Sequence, residues 1–487
     1  MSPRTNDSAP ESEGPAEDVL AREGSEQDAK AAAPAADAVK GGREPVEPTR
    51  HRVLRLAACA AALAVAITSG AIALGSRDEQ PVSASSSPGV TAELLAGGDL
   101  DANIEALQAH LREQPRDHNS WATLGLAYVE QARTKGDPSR YPQAEKALRR
   151  SLELRPDNDT ALAGQAALAA ARHDFEGALS KADRALERNP YSERALSTRI
   201  DALVELGRYD DATKAADLAD ERRPGIPVFT RYAYVRELRG DTKTAERVLK
   251  QALDSASGRG DIAYVATQLG QLAWKQGDYK SALDHYARAL GADDEYVPAL
   301  EGRARAEAAS GDRDGAIRTL EQVVSRFPLP GPLVELGELY EVKGDKEKAR
   351  DQYRLVNAWT SIARANGVNA DLDTALADAD HGDREAALRA ARAEWKLRET
   401  VHTADALAWA LHVNGRSEEA LPYARRAAAT GYKDATFLYH RGMIERATGD
   451  EKGARASLRA ALDLNSGFSP LGAEKARKAL KALEAAK

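Results

Sequence analysis

Cysteine, aromatic residues and an excess of positive charge are all scarce in this chain of 487 residues. Cys59 is the single cysteine, which excludes an intrachain disulfide and a cluster of thiolate metal ligands. Aromatic residues make up only 5% of the chain, so its core must be built mainly from alanine, leucine and valine, which suits closely packed helices. The net charge of -8 argues against a nucleic-acid partner, because proteins that bind nucleic acids normally carry a basic surplus.

The N-terminal region contains two successive segments. The first has few large apolar side chains, and the second has no charged residues. Residues 1–52 are rich in alanine, proline, glutamate and serine, and we expect a disordered tail because so little apolar surface can be buried. The run from Leu56 to Leu74 carries no charge, and as a helix its length of about 28 Å approaches the ~30 Å of a membrane's hydrocarbon core. The sequence therefore predicts a transmembrane helix over 53–75 and a flexible linker over 76–89.

Charges around this apolar run predict its orientation. Arg50, Arg52 and Arg55 precede it, so the positive-inside rule puts the tail in the cytoplasm and the rest of a single-pass protein outside the cell membrane. Two alternatives are a signal peptide cleaved near Ala71–Ala73, which would release a secreted protein, and an ordinary buried helix. The long tail favours the retained anchor, because cleaved signals usually have short N-terminal regions.

A repeat of about 34 residues runs through the remainder of the chain. Its register is marked by alanines at positions 144, 178, 212, 245, 282, 316, 349, 387, 420 and 454. In eight units a glycine lies five residues earlier, namely Gly207, Gly240, Gly277, Gly311, Gly344, Gly382, Gly415 and Gly449. We expect each glycine to end one helix in the left-handed conformation. The aspartates that follow six of them should cap the next helix, at Asp241, Asp278, Asp312, Asp345, Asp383 and Asp450.

This unit resembles the tetratricopeptide repeat. The resemblance rests on Trp121, Leu124, Gly125, Tyr128, Ala144, Leu148 and Pro156 in one unit, and on Leu269, Gly270, Ala273, Gly277, Tyr279, Ala282, Tyr286 and Ala289 in another. It implies an all-α fold, a right-handed superhelical solenoid of antiparallel helix pairs, with about ten units and a partial first one over 90–467. Residues 468–487 are expected to form a capping helix, which such arrays need for solubility. Insertions interrupt the period near 135–141, 255–262 and 357–369.

Signatures of catalysis and metal binding are missing. The chain has no His-Glu-x-x-His, no Gly-x-Ser-x-Gly and no phosphate-binding loop that ends in Gly-Lys-Ser or Gly-Lys-Thr. Its nine histidines are scattered, and His381 precedes a turn glycine, where we expect a solvated side chain. We therefore predict no catalytic residue, no metal site and no cofactor.

The family resemblance also implies where a partner binds, because first helices of successive repeats line a concave groove. The corresponding positions here are Arg194, Asp201, Tyr264, Gln271, Trp274, Arg305, Glu338, Glu341, Trp409, His412, Tyr439 and Arg446. Trp274 and Trp409 fall off the core register, so they are either exposed anchors for a peptide or contacts with neighbouring units. The Lys, Asn and Arg set that clamps a terminal carboxylate in some family members is replaced at Asn119, Ala122 and Leu126.

These features together predict a membrane-anchored scaffold of a bacterial envelope that binds a protein or peptide partner. The bacterial origin rests only on the alanine- and arginine-rich composition and the short anchor. An accessory subunit that positions a catalytic partner in envelope or cell-wall assembly is the alternative, and an enzyme in its own right is a third class. Spacing does not indicate the partner's identity or the oligomeric state.

Overall fold

The computed structural model describes residues 100–135, 138–365 and 372–485. These residues all fall in one compact unit, 49–487, and the other unit, 1–48, lies outside them. The predicted tail over 1–52, transmembrane helix over 53–75 and linker over 76–89 therefore also lie outside the described residues. Among the described helices, none combines the length and apolar character that crossing a membrane requires.

Twenty-two α-helices, with no strand, make up the described part of the chain. They are α1 (Leu100–Glu113), α2 (His118–Lys135), α3 (Tyr141–Leu154), α4 (Asp159–Ala171), α5 (Phe175–Arg188), α6 (Glu193–Glu205), α7 (Tyr209–Arg222), α8 (Ile226–Leu238), α9 (Thr242–Ser255), α10 (Arg259–Lys275), α11 (Tyr279–Ala292), α12 (Val297–Ser310), α13 (Arg313–Arg326), α14 (Pro330–Lys343), α15 (Lys346–Ala365), α16 (Leu372–His381), α17 (Arg384–Leu397), α18 (Val401–Val413), α19 (Ser417–Ala427), α20 (Ala435–Ala447), α21 (Glu451–Leu464) and α22 (Gly472–Ala485). A short 3₁₀ helix over Pro138–Arg140 occupies the first insertion.

The helices from α2 to α21 form ten consecutive pairs, with α1 before them and α22 after them. Within a pair the two helices pack along each other, and first helices of most consecutive units also contact one another. This confirms the prediction of an all-α solenoid built from helix pairs. The first helices are α2, α4, α6 and so on through α20, and we call the side of the array that they form the inner face.

Small residues allow the two helices of each pair to approach closely. All ten alanines of the repeat register are 1% exposed or less, which places them in the helix–helix contact. Most of the other buried apolar residues are further alanines and leucines, as predicted, but buried aromatic residues outnumber buried valines among the described residues.

The helix-capping prediction is also confirmed. Asp241, Asp278, Asp312, Asp345, Asp383 and Asp450 each accept a hydrogen bond from a backbone N–H in the first turn of the following helix. Asp174 caps α5 in the same way, with the Gly177 N–H at 2.9 Å.

Seven of the eight register glycines have a positive φ, as predicted. Gly382 is the exception, and it follows the short helix α16 beside the carboxylate of Asp378. Two units lack the glycine, and in one of them, whose register alanine is Ala178, His173 takes the left-handed conformation itself, with a φ of 59°. This position is therefore the one register turn in which a side chain carries the left-handed strain.

Candidate partner-binding cavity

Consecutive turns of the solenoid touch each other. We call this contact the inter-turn interface: residues 205–209, 234–240 and 275–279 lie on one side, and residues 398–402, 431–432 and 464–467 on the other. At one end Arg398 forms a 2.5 Å ion pair with Glu205, 193 residues away, and a second one with Glu394. The Val401 backbone N–H donates to the Tyr209 hydroxyl at 2.8 Å. Burial raises the pKa of Glu205 to about 7, and Arg398 opposes this shift.

Three turn glycines bring the two sides into backbone contact. A Cβ added to Gly207 would lie 2.4 Å from the carbonyl oxygen of Glu399, and one added to Gly240 would lie 2.4 Å from that of Gly431. At Gly277 the corresponding distance to the carbonyl oxygen of Leu464 is 2.7 Å. These glycines are thus needed for close approach as well as for their positive φ.

Polar side chains fill the middle of the inter-turn interface. Lys275 donates to Glu237 at 2.7 Å and to the Tyr432 hydroxyl at 3.2 Å. The Tyr234 hydroxyl lies 3.1 Å from Nε2 of His402. Burial, followed by the positive charges of Lys275 and Arg398, lowers the pKa of His402 to about 3, so this imidazole is neutral.

The segment between α21 and α22 continues this contact across the inner face. Asn465 donates to the Trp274 carbonyl oxygen at 2.8 Å, and the Tyr279 hydroxyl binds both Asn465 and the Gly467 N–H. Farther along, the Ser469 hydroxyl donates to Glu338 at 3.0 Å. The C-terminal segment therefore roofs part of the inner face of the middle units.

A cavity of about 430 Å³ lies beneath this roof. Its floor and sides come from α10, α12, α14 and α16, and its opposite side from α20, the 466–470 segment and α22. The aromatic part of the wall consists of Trp274, Tyr439 and Phe468, and alanine and leucine side chains line much of the remainder. A space of this size matches the pockets that hold small molecules or short peptide segments, which span roughly 300–1,000 Å³.

Both signs of charge occur in the cavity. Arg305 of α12 reaches Glu335 of α14 in a 2.5 Å ion pair and also lies 3.7 Å from Glu301. Burial raises the pKa of Glu335 even though Arg305 opposes the shift. Glu338 and Asp380 are also in the wall, and among the described residues neither has a lysine or arginine within ion-pair distance.

Each of these two carboxylates is held in place by hydrogen bonds. Glu338 lies 3.2 Å from Nε2 of His381 and accepts from Ser469 through its other oxygen. Asp380 is exposed and accepts from the indole N–H of Trp409 at 3.0 Å. The expectation that His381 is solvated was wrong, because its side chain is only 9% exposed and stacks on Tyr353.

A buried aromatic layer supports the cavity from behind. The ring of Trp409 stacks on His440 with centroids 4.1 Å apart, and His440 contacts Asp405 at 2.9 Å. Although burial acts against it, Asp405 raises the pKa of His440 and favours its charged form. Trp409 is 5% exposed and so is not an exposed anchor in this structure; it orients Asp380 instead.

The structure divides the twelve predicted groove residues into several sets. Trp274, Arg305, Glu338 and Tyr439 line the cavity, whereas His412 stacks against Trp409 behind it. Glu341 and Arg446 are exposed to solvent. The remaining four, nearer the N-terminal end of the array, are the buried Tyr264, the half-buried Gln271, and Arg194 and Asp201.

Asp201 is committed to another contact, because it forms an ion pair with the buried Arg231 at 2.9 Å. Arg194 lies close enough to Glu130 and Arg231 for their charges to act on it, and burial lowers its pKa. Sequence reasoning missed Asp380, His440 and Phe468 as parts of the cavity region. Asp380 falls in the unit with the weakest repeat signature, and no local pattern brings residue 468 onto a helix more than a hundred residues earlier.

Within the described ranges, no group of three His, Cys, Asp or Glu side chains is placed so that it could hold a metal ion. The side chains that line the cavity offer ionic contact, hydrogen bonding and apolar contact to a ligand.

Comparison with solved structures gives similar helical-repeat chains. They include PilF from Pseudomonas aeruginosa, with 22% identity over 44% of this chain and 94% of that chain at a TM-score of 0.35. PilW, described as a widely conserved type IV pilus biogenesis factor, shows 18% identity over 43% of this chain and 94% of that one, at 0.37. A human IFIT1 dimer with m7Gppp-AAAA shows 16% identity over 68% and 77%, at 0.44.

Sequence comparison identifies the repeat. No curated protein matches the chain. Family models described as tetratricopeptide repeat match residues 129–193, 227–295, 273–331 and 405–467. These segments, which lie on helix pairs with the same register, are similar to the tetratricopeptide repeat.

Proposed function

We propose that the chain is a membrane-anchored interaction scaffold that binds a protein or peptide partner on the inner face of its repeats and has no catalytic activity of its own. Repeats of this family form helical scaffolds suited to protein–protein interaction, and none of the matched models belongs to a catalytic family. The cavity carries the proposal, because first helices of several units contribute charged and aromatic side chains to one concave space.

Site-specific crosslinking tests the binding face. A photo-crosslinking amino acid would replace the exposed Glu341 or Arg446 on first helices, or, as the matched control, Lys214 on the second helix α7. We expect one partner to be captured from both inner positions in intact cells and not from Lys214, whose side chain is 79% exposed. Equal capture from the control position would contradict binding on the inner face.

The membrane anchor is proposed from the sequence. An uncharged run from Leu56 to Leu74 follows three arginines, which favours a retained span with the repeats outside the cytoplasm. Protease added to intact cells should then digest the repeats and leave an N-terminal fragment. Full protection of the repeats would contradict the outward orientation, and recovery of the repeats from the medium would support the secreted alternative.

A further inference from the structure

We propose that the cavity recognises its partner by taking in a lysine or arginine side chain of an extended polypeptide segment, an inference that rests on the proposed scaffold function. Three features of the cavity indicate this chemistry: its size, its aromatic walls, and the two wall carboxylates, Glu338 and Asp380, that no described lysine or arginine pairs with.

The walls suit a long side chain with an apolar stem. Trp274, Tyr439 and Phe468 present flat apolar surfaces, and Leu339 and Leu376 contribute aliphatic surface. Lysine and arginine bury their methylene groups along such surfaces while the charged head seeks a polar contact. A cation next to an aromatic face gains an additional attraction.

Charge decides between a basic and an acidic side chain. Arg305 and Glu335 compensate each other across the cavity. Glu338 and Asp380 have no such compensation from lysine or arginine among the described residues, so they leave negative charge on the wall. An incoming carboxylate would be repelled there, whereas a guanidinium or ammonium group would be attracted and would donate charge-assisted hydrogen bonds.

The rim has the opposite character. Arg313, Lys475 and Arg477 belong to the lining, and all three side chains are exposed to solvent. A bound segment that carries acidic residues next to its basic residue would contact this rim. The expected motif is therefore a basic residue with acidic neighbours, rather than a uniformly basic stretch.

Peptide pools test this inference on the full-length chain. The probes are fluorescent hexapeptide pools whose third residue is fixed as arginine or as citrulline, a neutral isostere, with random flanking residues. Fluorescence anisotropy should show at least tenfold tighter binding of the arginine pool. In the variant Glu338→Gln combined with Asp380→Asn, which preserves side-chain size, keeps one acceptor oxygen at each position and removes both charges, this preference should vanish.

The control is Glu187→Gln combined with Glu221→Gln, which removes two exposed carboxylates on the second helices α5 and α7, outside the cavity, and should leave the preference unchanged. Equal binding of both pools, or a preference that survives the double substitution, would overturn the inference. The scaffold proposal is tested separately by the crosslinks at Glu341 and Arg446. A partner captured there with no preference for arginine would leave the scaffold standing and refute the basic side chain.

Discussion

Replacing Gly240 by alanine should loosen the inter-turn interface, and Gly449 provides a matched control for the same change. Both glycines follow the first helix of a unit, and their φ values are 78° and 83°. They differ in their surroundings. A Cβ on Gly240 would lie 2.4 Å from the Gly431 carbonyl oxygen, whereas one on Gly449 would meet no atom within 4 Å.

The difference between the two sites determines how much more Gly240→Ala should destabilise the protein than Gly449→Ala. A side chain in the left-handed region costs about 1–2 kcal/mol, and this strain is common to both variants. At Gly240 the backbone of the facing loop must also move, and such overpacking costs a further 1–3 kcal/mol, approximately. Only the second contribution acts on the contact between turns.

Amide hydrogen exchange at the inter-turn interface measures the cost of overpacking at Gly240. The Val401 N–H is bonded to the Tyr209 hydroxyl, and the Gly467 N–H to the Tyr279 hydroxyl, so both report on the two sides coming apart. A loss of 1–3 kcal/mol corresponds to exchange faster by about 5- to 150-fold. We expect this acceleration in Gly240→Ala.

Gly449→Ala is the control for this measurement, because it introduces the same backbone strain away from the inter-turn interface. In Gly449→Ala the exchange of both amides should stay as in the unsubstituted protein, although local exchange around α20 and α21 increases. If the two variants accelerate Val401 and Gly467 equally, close backbone approach at Gly240 does not hold the turns together, and the argument from the glycine positions is refuted.

Three further predictions concern the turn at His173, the acidity of the interface and the choice of partner. His173→Gly should raise the free energy of unfolding in urea by up to about 1 kcal/mol, because glycine relieves the left-handed strain at φ 59°; a lower midpoint would contradict this. As the pH falls from 6.5 to 5.5, protonation of Glu205, whose pKa burial raises to about 7, should strengthen the inter-turn interface, whereas His402 should weaken it by about 1 kcal/mol. The reason is that the folded pKa of His402 is lowered to about 3, so its contribution is present above the unfolded pKa and is lost as the pH falls. His402→Gln should therefore make the Val401 amide better protected at pH 5.5 than at pH 6.5, relative to the unsubstituted protein, and an identical pH dependence in both proteins would locate the titration elsewhere. Single-stranded RNA should not bind in fluorescence anisotropy, given a net charge of -8, and submicromolar, salt-sensitive binding would reverse that expectation.

The repeat was predictable because its determinants are local. An alanine at a helix crossing, a glycine at a helix end and an aspartate at the next helix start each act within a few residues, so spacing alone reveals them. Spacing did not reveal the left-handed turn at His173, because a histidine in this conformation has no signature in the sequence. It also misjudged Gly382, whose helix α16 is shorter than its counterparts.

The cavity was only partly predictable, for the opposite reason. Family register placed Trp274, Arg305, Glu338 and Tyr439 on the inner face, and the structure brings them to one cavity. Register could not reveal that Trp409 is buried, since that depends on how α18 packs against α16 and α20. The roof over the cavity depends on contacts between residues 131 to 191 positions apart, which no short pattern in the sequence records.

The inter-turn interface also makes the number of repeats a fixed quantity. The hydrogen-bonded groups across it are 157 to 193 residues apart, which is between about four and a half and six units of ~34 residues. Open solenoids tolerate the gain or loss of a unit, because each repeat contacts only its neighbours. Here a duplication between α11 and α17 would move every partner on one side by a whole unit and leave Arg398 facing the wrong loop. The gain or loss of a repeat by recombination should therefore disrupt the inter-turn interface when it falls inside this span. Outside the span it leaves the interface intact.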